Sequence, residues 1–360
     1  MLEDVVMRRI CEVFLGWCLF LFFWSSVCCA DAAPSRTAVF SDSLLVFFWN
    51  LENWFDPSWH GERDDEAFTP YGEKHWTWSR FGRKRDRIAH TVLSVAGSWG
   101  RVPDVLAFCE VENRAVMEAL IEQTILSKAG YALVHVDGPD PRGIECALLY
   151  RQDLWELLQT ASLQVPSSSG QKPRRPILYV CLQEIQGESV FHLYVNHWPS
   201  RLGKSGEDGR QKAAAVLEHH LAALGTASAG QEAGQEAGQG ALPKQEKVVV
   251  MGDFNAPFQE LDQLLSEGLL SPLLPLVKGN DAQWVAGSVR YRGDWEVIDW
   301  MMVPVTQASQ GATWIYAPDF LLTQDRRWMG RKPFRTYQGP QYLGGVSDHL
   351  PIVGSFSKND

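Results

Sequence analysis

Cysteine is scarce in the body of this chain. Of seven Cys, four fall within the first 29 residues, leaving only Cys109, Cys146 and Cys181 downstream. Three scattered thiols build no disulfide framework, and no closely spaced pair of zinc-binding type occurs. Each lies in or beside an apolar run and reads as a buried free thiol, with a Cys109–Cys146 bridge as the alternative. Basic charge is also short: 33 Lys and Arg face 43 Asp and Glu, a formal net charge of −10. That argues against a protein that wraps tightly along a nucleic-acid backbone by neutralising its phosphates. It leaves room for an enzyme that touches one phosphodiester through local basic residues. Long apolar runs are limited to one, from about Val13 to Trp24, too short for a comfortable membrane span. No domain linker is apparent.

That run belongs to "MRRICEVFLGWCLFLFFWSSVCCADAAP", in which Arg8 and Arg9 precede the apolar stretch and small residues follow it. The pattern is that of a secretory signal peptide covering residues 1–33, with cleavage after Ala30, Ala32 or Ala33. An exported protein is expected, periplasmic or secreted. Cys28 and Cys29 keep open a lipoprotein leader, hence an outer-membrane anchor, although "SSVC" fits a lipidation signal poorly; a buried N-terminal helix is the remaining alternative. Residues 34–360 are expected to form a single domain without a transmembrane segment, acting as a monomer.

Tryptophan, by contrast, is abundant. The 15 Trp include several beside polar residues ("WNLENWFDPSW", "NHWPS", "GDWEVIDW"). Core packing is the default for Trp, and lining a groove is the alternative. Along the chain, "AVFSDSLLVFFWN" reads as a strand up to Asn50, followed by a long polar loop. "WSRFGRKRDRIAHTVLSVAG" has helical spacing, with Ile88, Val92, Leu93, Val95 and Ala96 on its apolar side. "PDVLAFCEVEN" is a strand ending in acids, and "RAVMEALIEQTIL" a second helix. "PILYVCLQEIQGESVFHLYVNHWPS" reads as a hairpin, "GRQKAAAVLEHHLAALG" as a third helix and "EKVVVMGDFN" as a strand. "WEVIDWMMV" and "SDHLPIVGSF" close the chain. Strands outnumber helices and come partly as hairpins, which predicts an α+β layered sandwich rather than a doubly wound parallel sheet. Residues 225–247, with a tandem "AGQE", read as a disordered low-complexity insertion. "SSSGQKPRRP" is a second loop.

Polar residues recur at the predicted strand ends: Asn50 and Glu52, Glu110 with Glu112 and Asn113, Asn196 and His197, Asp253 and Asn255, Asp299, and Asp348 with His349. Singly each has a plain explanation, such as a helix-start acid for Glu110 or an edge histidine for His349. Asp299 inside an apolar run is harder to explain away, because an unpaired buried carboxylate is costly. Together they describe a hard-metal phosphoester site. Carboxylate and Asn oxygens suit Mg2+ or Mn2+, and a His–Asp pair supplies proton transfer.

In order along the chain, "FFWNLEN", "FCEVEN", "VNHWPSR", "VVVMGDFNAPF", "VIDWMM" and "GVSDHLPI" resemble the motifs of the endonuclease/exonuclease/phosphatase superfamily, whose members include DNase I, apurinic endonucleases, inositol polyphosphate 5-phosphatases and bacterial sphingomyelinases. With its leader, the chain resembles an exported bacterial member. The resemblance implies a four-layered α/β sandwich of two packed mixed β-sheets flanked by helices, with the site at the strand ends. It implies metal binding by Glu110, helped by Asn50, Glu52 and Asp348. Asp253 then stands beside the attacking water, Asn255 holds a phosphate oxygen, and Asp299 orients His349. His197 stands where nucleases and sphingomyelinases place a histidine and apurinic endonucleases a tyrosine, which argues against abasic-site repair.

Arg142, in "PDPRGIECALLY", resembles the residue facing the scissile phosphate, a solvated loop arginine being the alternative. Arg201 and Arg210 flank the loop after His197, and Arg201 is a candidate substrate contact. "DRRWMGRKPFRTYQGPQYLGG" interleaves basic and aromatic residues and either contacts substrate or packs as a surface loop. The expected activity is Mg2+- or Mn2+-dependent phosphodiester hydrolysis, nucleic acid being the first-choice substrate and a phospholipid or sugar phosphate the second. A non-catalytic binding protein on the same fold is the remaining alternative.

Overall fold

The computed structural model describes residues 42–359 apart from 59–60, 62–63, 169–172, 202–203, 232–245, 267 and 281. Residues 41–360 make one compact unit. The leader, including Cys28 and Cys29, lies outside the described residues.

Nearly every residue of β1 (Ser43–Trp54) is buried. A run such as LLVFFW, apolar at every position rather than alternating, suits a central strand covered on both faces. It pairs in parallel with β2 (Val105–Val111) and antiparallel with the last strand, and β4 (Glu145–Arg151) and β3 (Tyr131–His135) extend the same sheet beyond β2. The second sheet is built from β5 (Trp155–Leu163), β6 (Ile177–Glu184), β7 (Val190–His197), β8 (Glu246–Asp253) and β9 (Leu270–Pro272). Next come β10 (Leu276–Lys278), then a hairpin of β11 (Val289–Tyr291) and β12 (Asp294–Glu296). β13 (Asp299–Pro304) returns to the second sheet and β14 (Gly311–Tyr316) to the first. Two small ribbons follow, β15 (Leu322–Gln324) with β16 (Arg331–Pro333) and β17 (Tyr337–Gln338) with β18 (Gln341–Tyr342), before β19 (Ile352–Ser357). The sheet orders are β10-β14-β19-β1-β2-β4-β3 and β5-β6-β7-β8-β13-β9. Both are mixed, as expected.

The sheets pack face to face, β1 on β8 and β2 on β7. Phe47, Phe108, Leu182, Leu193, Met251, Met301 and Val353 belong to this central core. A second core, with Tyr179, Tyr194, Leu217, Val250, Leu261 and Met302, lies between the second sheet and its helices. Four helices flank the sandwich among the described residues: α1 (Trp78–Trp99), α2 (Arg114–Glu122), α3 (Lys204–Gln231) and α4 (Phe258–Leu264). α1 starts where the Thr77 side chain accepts from the Arg80 N–H and ends at Gly100, whose φ of 74° a side chain would strain. Its buried face is Phe81, Lys84, Ile88, Ala89, Thr91, Val92 and Val95. Leu93, expected on that face, is 37% exposed, and a lysine is buried instead. α3 runs into the low-complexity segment as far as Gln231; residues 232–245 of that segment lie outside the described residues. "WEVIDWMMV" spans parts of two strands, because Asp299 opens a fresh pairing opposite Asp253.

All three downstream cysteines are free and buried; Cys109 and Cys146 face each other across β2 and β4 without bonding. Among the described residues, Trp49, Trp54, Trp76, Trp155 and Trp198 take the core role and are fully buried, whereas Trp78, Trp284 and Trp328 are exposed.

Candidate active site

Strand pairing delivers the polar residues to one end of the sandwich. The parallel register of β7 and β8 sets His197 opposite Asp253, and the antiparallel register of β8 and β13 sets Asp253 opposite Asp299. In the other sheet Asn50 lies beside Cys109, one residue before Glu110. Gly252 is required in this arrangement, because a Cβ there would stand 2.3 Å from the Asn196 carbonyl oxygen of the adjacent strand. Glu52, Asn53, Glu110 and Asn255 have φ between 46° and 59°. Non-glycine residues rarely hold this left-handed conformation, and each instance costs about 1–3 kcal/mol. Four such residues at one end of the molecule mark a place built for something besides stability.

The side chains form a continuous series of acids and imidazoles. Asp299 Oδ2 lies 2.8 Å from His349 Nδ1, and His349 Nε2 is 3.8 Å from Asp253 Oδ2. The same oxygen is 3.8 Å from His197 Nε2, which in turn is 3.5 Å from Glu110 Oε1. Asn50 Nδ2 donates to Asp253 Oδ2 at 3.0 Å, while the Asn50 carbonyl accepts from Ser347 Oγ at 2.6 Å. Ser347 Oγ also accepts from the His349 N–H, so one hydroxyl fixes β1 and the histidine together. Glu110 Oε2 accepts the Asn53 N–H at 2.8 Å. Asn255 donates its backbone N–H to Asp253 Oδ1 and one Nδ2 hydrogen to the Trp198 carbonyl.

The electrostatics separate the two histidines. Burial alone would lower His349, but Asp299 and Asp253 outweigh it and hold the imidazolium well above its ordinary range. Burial lowers His197 far below that range, reinforced by Arg175, Arg142 and His349, so its ring is neutral. Its Nδ1 is buried without a hydrogen-bond partner. Burial raises the Asp253 carboxyl to about 7; Asp299 opposes a second negative charge beside it, and His349 works the other way.

Glu52 and Asp348 sit in an adjoining group. Glu52 Oε1 accepts two hydrogen bonds from Arg335, at 3.0 and 2.9 Å, and Oε2 accepts the Thr336 N–H at 2.6 Å. Asp348 shares the same guanidinium at 3.0 Å. Beneath them Lys84, fully buried, donates to the Glu52 carbonyl and to Thr336 Oγ1, both at 2.9 Å. Burial, with Asp348 adding to it, raises Glu52 to about 7, and burial lowers Lys84 to about 8. Both Glu52 oxygens are therefore engaged by Arg335 and Thr336, and Asp348 is tied to the same arginine. The structure thus places these two expected metal-side acids around a guanidinium, whereas Asn50 and Glu110 join the His197–Asp253 series directly.

The remaining expected contacts are distributed as follows. Arg142 is half exposed, with Asp140 3.7 Å away. Arg201 is ion-paired with Glu296, and buried Arg210 binds Glu260 and the carbonyls of Pro199 and Ser200, a scaffolding role. Glu112 accepts the Asp56 N–H, Asn113 caps α2, and Asn196 spans Met251 and Trp198. Arg175, read in sequence only as part of a loop, joins Asp140 to the carbonyls of His197 and Trp198 and so fixes the end of β7. No sequence signal distinguishes it from the neighbouring Arg174.

Residues 45–358 match the model of the endonuclease/exonuclease/phosphatase family. The chain belongs to this family. No curated protein matches the sequence. Among solved structures, a family protein from Bacteroides thetaiotaomicron is similar at 16% identity and a TM-score of 0.52, covering 87% of this chain and 97% of that one. A mannosyl-6-phosphatase from Bacteroides thetaiotaomicron VPI-5482 is similar at 16% identity and a TM-score of 0.50, covering 87% and 98%. At such identity these two share the fold alone. Membership of the family, together with the acid–imidazole group, supports metal-dependent phosphoester hydrolysis in general terms.

The donor set fits a divalent ion. Ligand atoms of Asp253, Asp299 and His349 lie within 4.8 Å of one another, but His349 as an imidazolium has no lone pair to give, so the carboxylate oxygens are the available donors. Glu110, 15% exposed, offers a further carboxylate next to His197. Oxygen-rich groups of this kind suit Mg2+ or Mn2+. A pH dependence follows. Asp253 and Glu52 have folded-state values raised to about 7, so their contribution to stability is present at low pH and is lost as pH rises through 7. A cation held by Glu110 attracts the neighbouring Asp253 carboxylate and favours its deprotonated form, releasing a proton. The gain in Tm from saturating Mg2+ should therefore be larger at pH 7.5 than at pH 5.5. Equal gains at both pH values in thermal unfolding would contradict this placement.

Proposed function

We propose that the protein is a divalent-metal-dependent phosphodiesterase that cleaves nucleic acid by in-line attack of water on phosphorus. The observation that carries this reading is the unbroken series Asp299–His349–Asp253–His197–Glu110, with spacings of 2.8, 3.8, 3.8 and 3.5 Å. Mg2+ or Mn2+, held chiefly by Glu110 with Asn50, would supply charge stabilisation at the phosphate and leaving oxygen. Glu52 and Asp348 support that region through Arg335 and also contribute negative charge to it.

Asp299 anchors His349 Nδ1, leaving Nε2 aimed towards Asp253 Oδ2. Asp253, with a carboxyl balanced near neutrality, accepts a proton from the attacking water at physiological pH. Neutral His197 and the second Nδ2 hydrogen of Asn255 donate to non-bridging phosphate oxygens as charge grows there. Arg142, half exposed at the edge of the group, adds a cation for the same anion.

A substrate panel tests the reading. The purified protein with Mg2+ or Mn2+ should cleave single- or double-stranded DNA or RNA, and chelator should abolish the activity. Turnover of sphingomyelin or an inositol phosphate without cleavage of any nucleic acid would reassign the substrate class.

A further inference from the structure

Two hairpin tips meet beside the acid–imidazole group without belonging to it. β11 turns into β12 through Arg292 and Gly293, whose φ values of 51° and 99° make a two-residue turn with both centres left-handed. β15 turns into β16 through residues 325–330, where Asp325 Oδ1 accepts the N–H groups of Arg327 and Trp328, and Met329 and Gly330 have φ of 59° and 85°. Arg290 fastens one tip to the other, donating to the carbonyls of Gly293, Met329 and Arg331 at 2.9, 2.7 and 2.5 Å. The tips touch so closely that a Cβ on Gly293 would stand 3.1 Å from Trp328 Cβ.

Large side chains are held in solvent there. Tyr291 is 62% and Trp328 46% exposed, and Arg292, Arg326 and Arg327 are exposed with them. The guanidinium of Arg292 lies 5.1 Å from the Tyr291 ring centroid and that of Arg327 5.4 Å from the Trp328 centroid. Exposed aromatics already paired with cations lose little freedom when a base stacks on them, and the guanidiniums meet its phosphate. Asp294, opposite Tyr291, is the exposed acid of the β11–β12 tip, whereas Asp325 is spent on its own turn. Met329 is the sole exposed aliphatic side chain of the two tips, too little apolar area to favour insertion into a lipid surface.

The tips are also coupled to the reacting end. Val289 bridges His349, the Leu350 N–H donates to the Ser288 carbonyl, and Ser288 Oγ accepts the Asp299 N–H. Tyr291 is two residues beyond Val289, roughly 7 Å along an extended chain, which places the rim beside the phosphate's immediate neighbours.

We propose that Tyr291, Arg292, Arg327 and Trp328 form a subsite for single-stranded nucleic acid, stacking a base and pairing a phosphate adjacent to the scissile one. This rests on the nucleic-acid reading above. The test uses the full chain and compares wild type with Tyr291→Ala and with Arg327→Ala/Trp328→Ala on a short single-stranded oligonucleotide and on bis(4-nitrophenyl) phosphate. KM for the oligonucleotide should rise about tenfold in each variant, with its kcat and the turnover of the small diester unchanged. An unchanged oligonucleotide KM, with nucleic acid still cleaved, would overturn the subsite alone. Absence of oligonucleotide cleavage by wild type, with the small diester turned over, would overturn it together with the nucleic-acid reading. Variants that lose binding to phosphatidylglycerol vesicles but keep their oligonucleotide KM would move the rim to a membrane role and overturn it too.

Discussion

Glu110→Gln should lower kcat for phosphodiester hydrolysis by about 10³-fold while leaving the folded state intact. A bound metal supplies several kcal/mol of charge stabilisation, and about 1.36 kcal/mol is a factor of ten in rate. Glutamine keeps an oxygen for the Asn53 N–H, now 2.8 Å from Glu110 Oε2, so the left-handed turn at Glu52 and Asn53 retains its partner. What is lost is the negative charge beside His197. The variant should therefore unfold at nearly the wild-type temperature in chelator, and should gain far less Tm from Mg2+. Steady-state kinetics with a Mg2+ titration, run beside thermal unfolding, separates the two effects. Wild-type kcat in the variant would remove Glu110 from the metal role.

Asp299→Asn should cost about 10²- to 10⁴-fold in kcat, the range associated with losing a positioned general acid or base. Asp299 Oδ2 at 2.8 Å holds His349 Nδ1, and its charge is the principal reason the imidazolium survives burial. An amide keeps the shape but not the charge. His349 should then fall towards a neutral ring, removing the positive charge that faces Asp253. Since His349 lowers the Asp253 carboxyl, its neutralisation should push that carboxyl upwards. Removal of the Asp299 charge acts in the opposite direction. The pH–rate profile therefore separates a change at His349 from a loss of fold: a folded variant with a small kcat loss and an unmoved profile would contradict the dyad.

The architecture was legible because its signals are local. Unbroken apolar runs such as LLVFFW and KVVVM announce strands covered on both faces, and "QGES" between two such runs announces the β6–β7 hairpin. The acids and histidines of the series were legible because His197 and Asp253 close strands, Asp299 opens one and Glu110 stands one residue from the end of another, while His349, between strands, was legible through its "SDH" motif. The supporting cations were not. Lys84 sits among "GRKRDR" on a helix, where its neighbours are solvated, and its partners lie 32 and 252 positions away. Arg335 was one of several basic residues in an aromatic-rich segment, and only the fold selects it to grip Glu52, 283 positions away. Leu93 failed for a related reason. Its spacing suits the buried stripe, but that stripe is occupied by Phe81, Lys84, Ile88 and Val92, and the helix turns Leu93 outward. Arg201, picked for its position after His197, is instead taken up by Glu296 across the site edge.

Hydrolysis of bis(4-nitrophenyl) phosphate as a function of Mg2+ concentration, starting from protein stripped with chelator, separates a metal-dependent phosphodiesterase from a non-catalytic binding protein. It asks for phosphodiester chemistry and for metal dependence at once, without assuming which nucleic acid or lipid is the physiological substrate. Turnover should be absent in chelator and should return saturably with Mg2+ or Mn2+. Full turnover in chelator, or none at any concentration of either metal, would contradict a metal-dependent phosphodiesterase.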